Sequence, residues 1–170
     1  NVTGVQTCAL PIYAEASNLL SIFLRELARF GWVEGQNVRF SRCWTGGDPN
    51  RNELCAAETV RRAPDVILSS ASTPTAALAR ETHTIPIVFV EAIDPVGSKL
   101  VATLARPGGN ITGFSNYEYE IGGKWLETIK RIAPDVSRVA FLVNPASENH
   151  AAMLRIIEGA ATSFGMAVTP

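Results

Sequence analysis

Five short runs limit what this chain can become. NVRFSRCW, DVILSS, IPIVFV, ITGFS and RVAFLV are rich in β-branched and aromatic residues, and each is followed by a helical spacing of apolar positions. DVILSS and IPIVFV are apolar without alternation, as strands covered on both faces are. NVRFSRCW instead alternates Val38 and Phe40 with Arg39 and Ser41, which fits a strand with one face towards a core. Strands separated by helices through short connections have one economical arrangement, a parallel sheet between layers of helix. The expected class is therefore α/β, a three-layer αβα fold with Rossmann-like parallel sheets.

The helical segments carry their own signals. From Ser17 onward, Leu20, Phe23, Leu24 and Leu27 recur at helical spacing, and Gly31 follows as a left-handed stop. Asp48 and Pro49 form an N-cap and first-turn pair, after which Leu54, Ala57 and Val60 are expected to share the inward face. Thr73 and Pro74 open a helix running to about Thr82. DPVGSKLVATLA reads as a further helix and PGGN as the turn after it. EIGGKWLETIKRIAP is expected to bury Ile121, Trp125, Ile129 and Ile132. Ser147 is expected to cap a helix ending near Phe164, with Gly165 as its stop and MAVT as the next strand.

Two features of the chain ends stand apart. VTGVQTCALPI, residues 2–12, looks like a translated sequencing adapter, so residues 1–12 are set aside from fold reasoning. The expected organisation is then a first ligand-binding lobe over 13–115 lacking its first strand, and an incomplete second lobe over 116–170. On that reading Cys8 is not biological. Cys43 and Cys55 lack the close spacing of a zinc or redox motif and read as ordinary buried thiols, which leaves the redox compartment undecided.

Charge and hydropathy exclude two classes of partner. The formal net charge of −1, with scattered Lys and Arg, supplies no basic face for nucleic acid. No apolar run approaches the roughly 20 residues that span a bilayer.

In an open parallel sheet, ligands bind beyond the carboxyl ends of the strands. The loops there contain WTGGDPN, SSASTP, EAIDPVGS, FSNYEYE and NPASEN. SSASTP has neither a glycine-rich phosphate motif nor a lysine, and it lacks the Gly-x-Ser-x-Gly frame of a nucleophile elbow. The two histidines, His83 and His150, are poorly placed for a Ser–His–acid set, and no His, Asp or Glu spacing suits a metal. No cofactor is expected. A helix N-terminus with hydroxyl donors Ser70, Ser72 and Thr73 could instead seat a small carboxylate, or Thr73 could be a plain N-cap among turn-forming serines. Glu91 and Asp94 at the next strand end could meet a positive group on the same ligand, or Asp94 could cap the helix at Pro95. Asn116, Tyr117 and Asn144 offer amide and phenol groups from the second half, although Asn144 before Pro145 is also a common turn pair.

Taken together, LARFGWVEGQNVRFSRCWTGG, the long stretch from DVILSSASTPTAALA through LARPGGNITGFSNYEYEIGGKWLE, and RVAFLVNP resemble one family. They are similar to the extracytoplasmic substrate-binding proteins of ATP-driven (ABC) importers, in the aromatic-amino-acid or unassigned-ligand branch. The resemblance implies a type I periplasmic binding protein with two lobes, here truncated, and a ligand held between them. It also implies a monomer located in the periplasm or otherwise outside the cytoplasm, delivering an amino acid or small carboxylate to a membrane permease without being an enzyme. The alternatives on similar folds are a sensor or effector-binding domain of a regulator and a racemase-like enzyme. A racemase would need a paired acid–base set such as two cysteines at strand ends, and Cys55 is expected in mid-helix.

Overall fold

The computed structural model describes residues 3–9, 14–143 and 148–170, and it divides into two compact units, Asn1–Asn116 and Tyr117–Pro170. In the first unit five strands form one parallel sheet in the order β2-β1-β3-β4-β5. These are β1 (Thr3–Ala9), β2 (Val38–Trp44), β3 (Val66–Ser70), β4 (Ile87–Ala92) and β5 (Ile111–Ser115). Helices α1 (Ala14–Arg29), α2 (Pro49–Arg61) and α3 (Ser72–Glu81) connect the first four strands.

The central strand is the segment that the sequence reading set aside. Thr3–Ala9 pairs in parallel with β2 from Thr3↔Val38 to Ala9↔Trp44, and with β3 from Val5↔Val66 to Cys8↔Ser69. The expectation of a lobe lacking its first strand is therefore corrected. Backbone pairing asks only for an extended, unbroken segment, and TGVQTCA meets that need whatever its origin.

Burial divides the sheet by face. Ile67, Ile87, Phe89 and Ile111 form a buried cluster with Ala56 of α2 and Ala77 and Leu78 of α3. Each large side chain buried there is worth about 1.5–3 kcal/mol. On the other face, Phe23 and Leu27 of α1 lie over Val5, Val38, Val66 and Leu68 across an apolar cavity of about 300 Å³. The layering is thus αβα, with α2 and α3 on one side and α1 on the other.

Two helical expectations need correction. On α2 the buried residues are Asn52, Cys55, Ala56 and Thr59, whereas Leu54 is 71% exposed. Of the expected Leu54–Ala57–Val60 line only Val60 packs against the core, partly buried, so the inward stripe is rotated towards Cys55, Ala56 and Thr59. DPVGSKLVATLA forms no helix. Asp94 and Lys99 both adopt left-handed backbone (φ 45° and 60°), so the chain makes one turn, with Ser98 N–H donating to the Asp94 carbonyl, and then departs. Asp94 caps that turn by accepting from Gly97 N–H at 2.9 Å and caps no helix.

Cys43 and Cys55, expected as free thiols, are joined by a disulfide with their Cα atoms 6.1 Å apart. The sequence hid the pair because 12 positions separate a strand residue from a helix residue that the β2–α2 turn folds back over it.

The second unit contains α4 (Ile121–Ile132), β6 (Arg138–Ala140), α5 (Glu148–Ala161), a 3₁₀ turn (Thr162–Phe164) and β7 (Ala167–Thr169), with β6 and β7 pairing in parallel. Its core is Leu126, Met153, Ile157, Ala161 and Met166. The expected stripe is met in part: Ile121 and Ile129 pack against this core beside the buried Leu126 and Gly122, while Ile132 is 80% and Trp125 40% exposed. A Cβ on Gly122 would stand 2.7 Å from Ile157 Cγ1, so glycine lets α4 and α5 approach. Ser147 and Asn144 lie outside the described residues. No helix among the described residues is long and apolar enough to cross a membrane.

Candidate functional site

The strand order locates the site. In a sheet ordered 2-1-3-4-5 the connections leave β1 in opposite directions, and the crevice opens beyond the carboxyl ends of β1 and β3. The turn from β3 into α3 is the described loop at that point.

Its backbone is held in a costly shape. Ala71, the residue between β3 and α3, has φ 76° and ψ 162°, a region that is essentially reserved for glycine. Glu91 (φ 59°) and Asp94 (φ 45°) at the end of β4 are also left-handed, and the β4–β5 register shifts between Val90 and Ala92. Such residues cost about 1–3 kcal/mol each and persist only where surroundings fix them.

The fixing contacts are visible. Ala71 N–H donates to the Val90 carbonyl at 2.9 Å. The buried Thr75 hydroxyl lies 2.7 Å from the Ala71 carbonyl and 2.8 Å from Ser69 Oγ, so it braces the turn from beneath. Ser72 Oγ accepts from Ile93 N–H at 2.9 Å and ties the loop after β3 to the loop after β4. Ser70 Oγ donates to Glu91 Oε2 at 2.7 Å, and Asn116 N–H donates to the Ala92 carbonyl at 3.1 Å.

These bonds redistribute the expected roles. Ser70, Ser72, Thr73, Glu91, Asp94 and Asn116 all lie at the carboxyl ends of β3, β4 and β5. Of the three hydroxyls, Ser70 is bonded to Glu91 and Ser72 to Ile93, whereas the exposed Thr73 has no hydrogen bond among the described residues. Thr73 is not the N-cap. That position is Ala71, which makes no side-chain cap bond, and Pro74 brings no N–H. The first-turn amides of Ser72 and Thr73 are therefore the donors that the helix end presents.

Tyr117 begins the second unit and packs edge-on against Trp125 at 6.3 Å between ring centroids. Asn144 falls outside the described residues.

Sequence reasoning missed Ala71, Ser69, Thr75 and the Ile93 amide. A left-handed alanine leaves no trace in composition, but a Thr five residues after a strand end and able to reach back to the turn is a signal that could have been used.

His83 follows the C-cap of α3, the far end of a 10-residue helix from Ser72, or about 15 Å along its axis. The acid–base cysteine pair of a racemase is excluded by the Cys43–Cys55 bond.

Comparison with known proteins gives a consistent picture. The model of a family described as ABC transporter substrate binding protein matches residues 20–170. A tyrosine-binding protein of Clostridioides difficile is 31% identical over 128 residues, 75% of this chain and 36% of that protein. A conserved domain protein of Vibrio cholerae superposes with a TM-score of 0.84 at 30% identity, covering 99% of this chain and 56% of the other. A Streptococcus protein solved with L-Trp gives a TM-score of 0.81 at 21% identity, again over 99% of this chain and 56% of that one. The chain thus spans about a third to a little over half of the length of these relatives.

Proposed function

We infer the function from family membership: the chain belongs to the ABC transporter substrate-binding protein family, and it forms a ligand-holding part of an extracytoplasmic solute-binding protein that serves an ATP-driven importer. Its fold is that of the type I periplasmic binding proteins. The ligand is an amino acid or a small carboxylate, delivered to a membrane permease. No covalent step is involved.

One observation carries the ligand class. The strained Ala71 turn aims an uncapped helix start into the switch-point crevice, beside the Ser70–Glu91 pair. A carboxylate fits the Ser72 and Thr73 amides and the Thr73 hydroxyl, since anions are favoured at helix N-termini. An ammonium group fits the Glu91 carboxylate, with Asp94 nearby on the same loop. This division of charge is that of a zwitterion, and the relatives that bind tyrosine and L-Trp agree with it.

A thermal-shift screen against amino acids, small carboxylates, sugars and nucleosides tests this reading. Amino acids are expected to raise the midpoint by mass action, and Thr73→Ala is expected to weaken the affinity about tenfold or more, as loss of a hydrogen bond to a charged group does, so that about tenfold more ligand is needed for the same rise. A response only to sugars or nucleosides, unchanged in Thr73→Ala, would refute it.

A further inference from the structure

We propose that the Cys43–Cys55 disulfide supplements a thin side-chain contact in fastening α2 to the sheet, so that this lobe reaches full stability only in an oxidising compartment. The argument starts from how little α2 has to bury. Its fully buried residues are Asn52, Cys55, Ala56 and Thr59, all small or polar; Val60 packs against the core only partly buried, and Leu54 is 71% exposed. Three buried polar side chains here, Thr45 after β2 and Asn52 and Thr59 on α2, have no hydrogen-bond partner among the described residues. Unpaired polar groups oppose burial and do not drive it.

Against that weak face stands one covalent tie. Cys55 is 3% exposed, its Cα lies 6.1 Å from that of Cys43 at the end of β2, and that spacing is within the range two cysteines bridge. The bond closes the Trp44–Leu54 turn, which carries Asp48, the α2 cap that accepts from Asn50 N–H and Arg51 N–H. It forms when the two thiols give up two protons and two electrons to a disulfide-exchange oxidant, which leaves as a dithiol. Such oxidants act outside the cytoplasm and are opposed by reducing thiols within it. This inference does not depend on the identity of the ligand.

The register gives the test its control. Cys8 of β1 stands directly opposite Cys43, so the chain has two candidate partners for that residue. The 170-residue chain would be purified without reductant, its free thiols alkylated, and its peptides mapped by mass. The expected result is one alkylated cysteine, Cys8, and one linked pair, Cys43–Cys55. Reductant is expected to lower the unfolding midpoint by roughly 6–12 °C, from the loop length and the size of the chain. Cys8→Ser should leave that shift intact, and the Cys43→Ala/Cys55→Ala double variant should abolish it. Should the double variant not fold, the reductant shift of the Cys8→Ser chain alone decides. Three alkylated cysteines, a Cys8–Cys43 link, or a midpoint indifferent to reductant would each overturn the proposal.

Discussion

Phe89→Ala is expected to cost the first unit about 3–5 kcal/mol, the range for removing a fully buried aromatic ring. Phe89 is 1% exposed and is the largest of the fully buried side chains. It sits at the middle of β4, in register with Ser69 on one side and Gly113 on the other, and its ring belongs to the cluster that holds α2 and α3 on the sheet. Neighbours fixed by two flanking strands cannot collapse far into the space left, so the cavity term adds to the lost transfer energy. A domain with the usual 5–15 kcal/mol in reserve would lose about a fifth of it or more. Urea unfolding should show the midpoint falling with little change in slope, and Phe89→Leu should cost less than Phe89→Ala.

The second large effect is expected at Gly113→Ala. An added Cβ would stand 2.0 Å from the Phe89 carbonyl oxygen and 2.6 Å from its Cγ. A side chain can turn away, but a backbone carbonyl in a sheet cannot, so β5 must separate from β4. The expected loss is about 3 kcal/mol or more, the upper end of overpacking effects. Hydrogen exchange should place the damage in Ile111–Ser115 before the rest of the sheet. The two changes should not add. With the ring gone, Phe89→Ala relieves the Cγ contact but leaves the carbonyl contact, so the double variant should lose less than the sum of the singles.

The same pair shows what the sequence could disclose. IPIVFV and ITGFS were readable as strands because apolar, β-branched runs between turn residues have few other uses. That Gly113 faces Phe89 depends on register, which no local pattern encodes. Helix existence was equally legible for α1, α2 and α3, whereas helix facing was not. On α2 the spacing of Leu54, Ala57 and Val60 is as helical as that of Asn52, Cys55, Ala56 and Thr59, and only the surface beneath selects the second set. DPVGSKLVATLA failed as a helix because propensity carries no information about the two left-handed residues, Asp94 and Lys99.

At the site, composition drew attention to SSASTP but could not apportion its hydroxyls. Ser70 and Ser72 each reach a group 21 positions away, Glu91 and Ile93, so their commitments appear only once β3 and β4 lie side by side. On the proposed reading, Thr73 and the two first-turn amides are the groups that meet the ligand, a smaller set than the sequence offered. The resemblance in sequence pointed to the same family that the match over residues 20–170 establishes. Segment Thr3–Ala9 is the opposite case, where attention to how a stretch reads obscured what its backbone can do.

The central claim is that the start of α3 receives a ligand carboxylate. The direct measurement is an amide nitrogen–proton NMR titration of the chain with L-tyrosine and, in parallel, with tyramine, which lacks the carboxylate. The account predicts saturable shifts at Ser72, Thr73 and Ile93 with L-tyrosine, and much weaker ones with tyramine. Equal shifts with both compounds, or perturbation confined to residues away from the ends of β3 and β4, would contradict it.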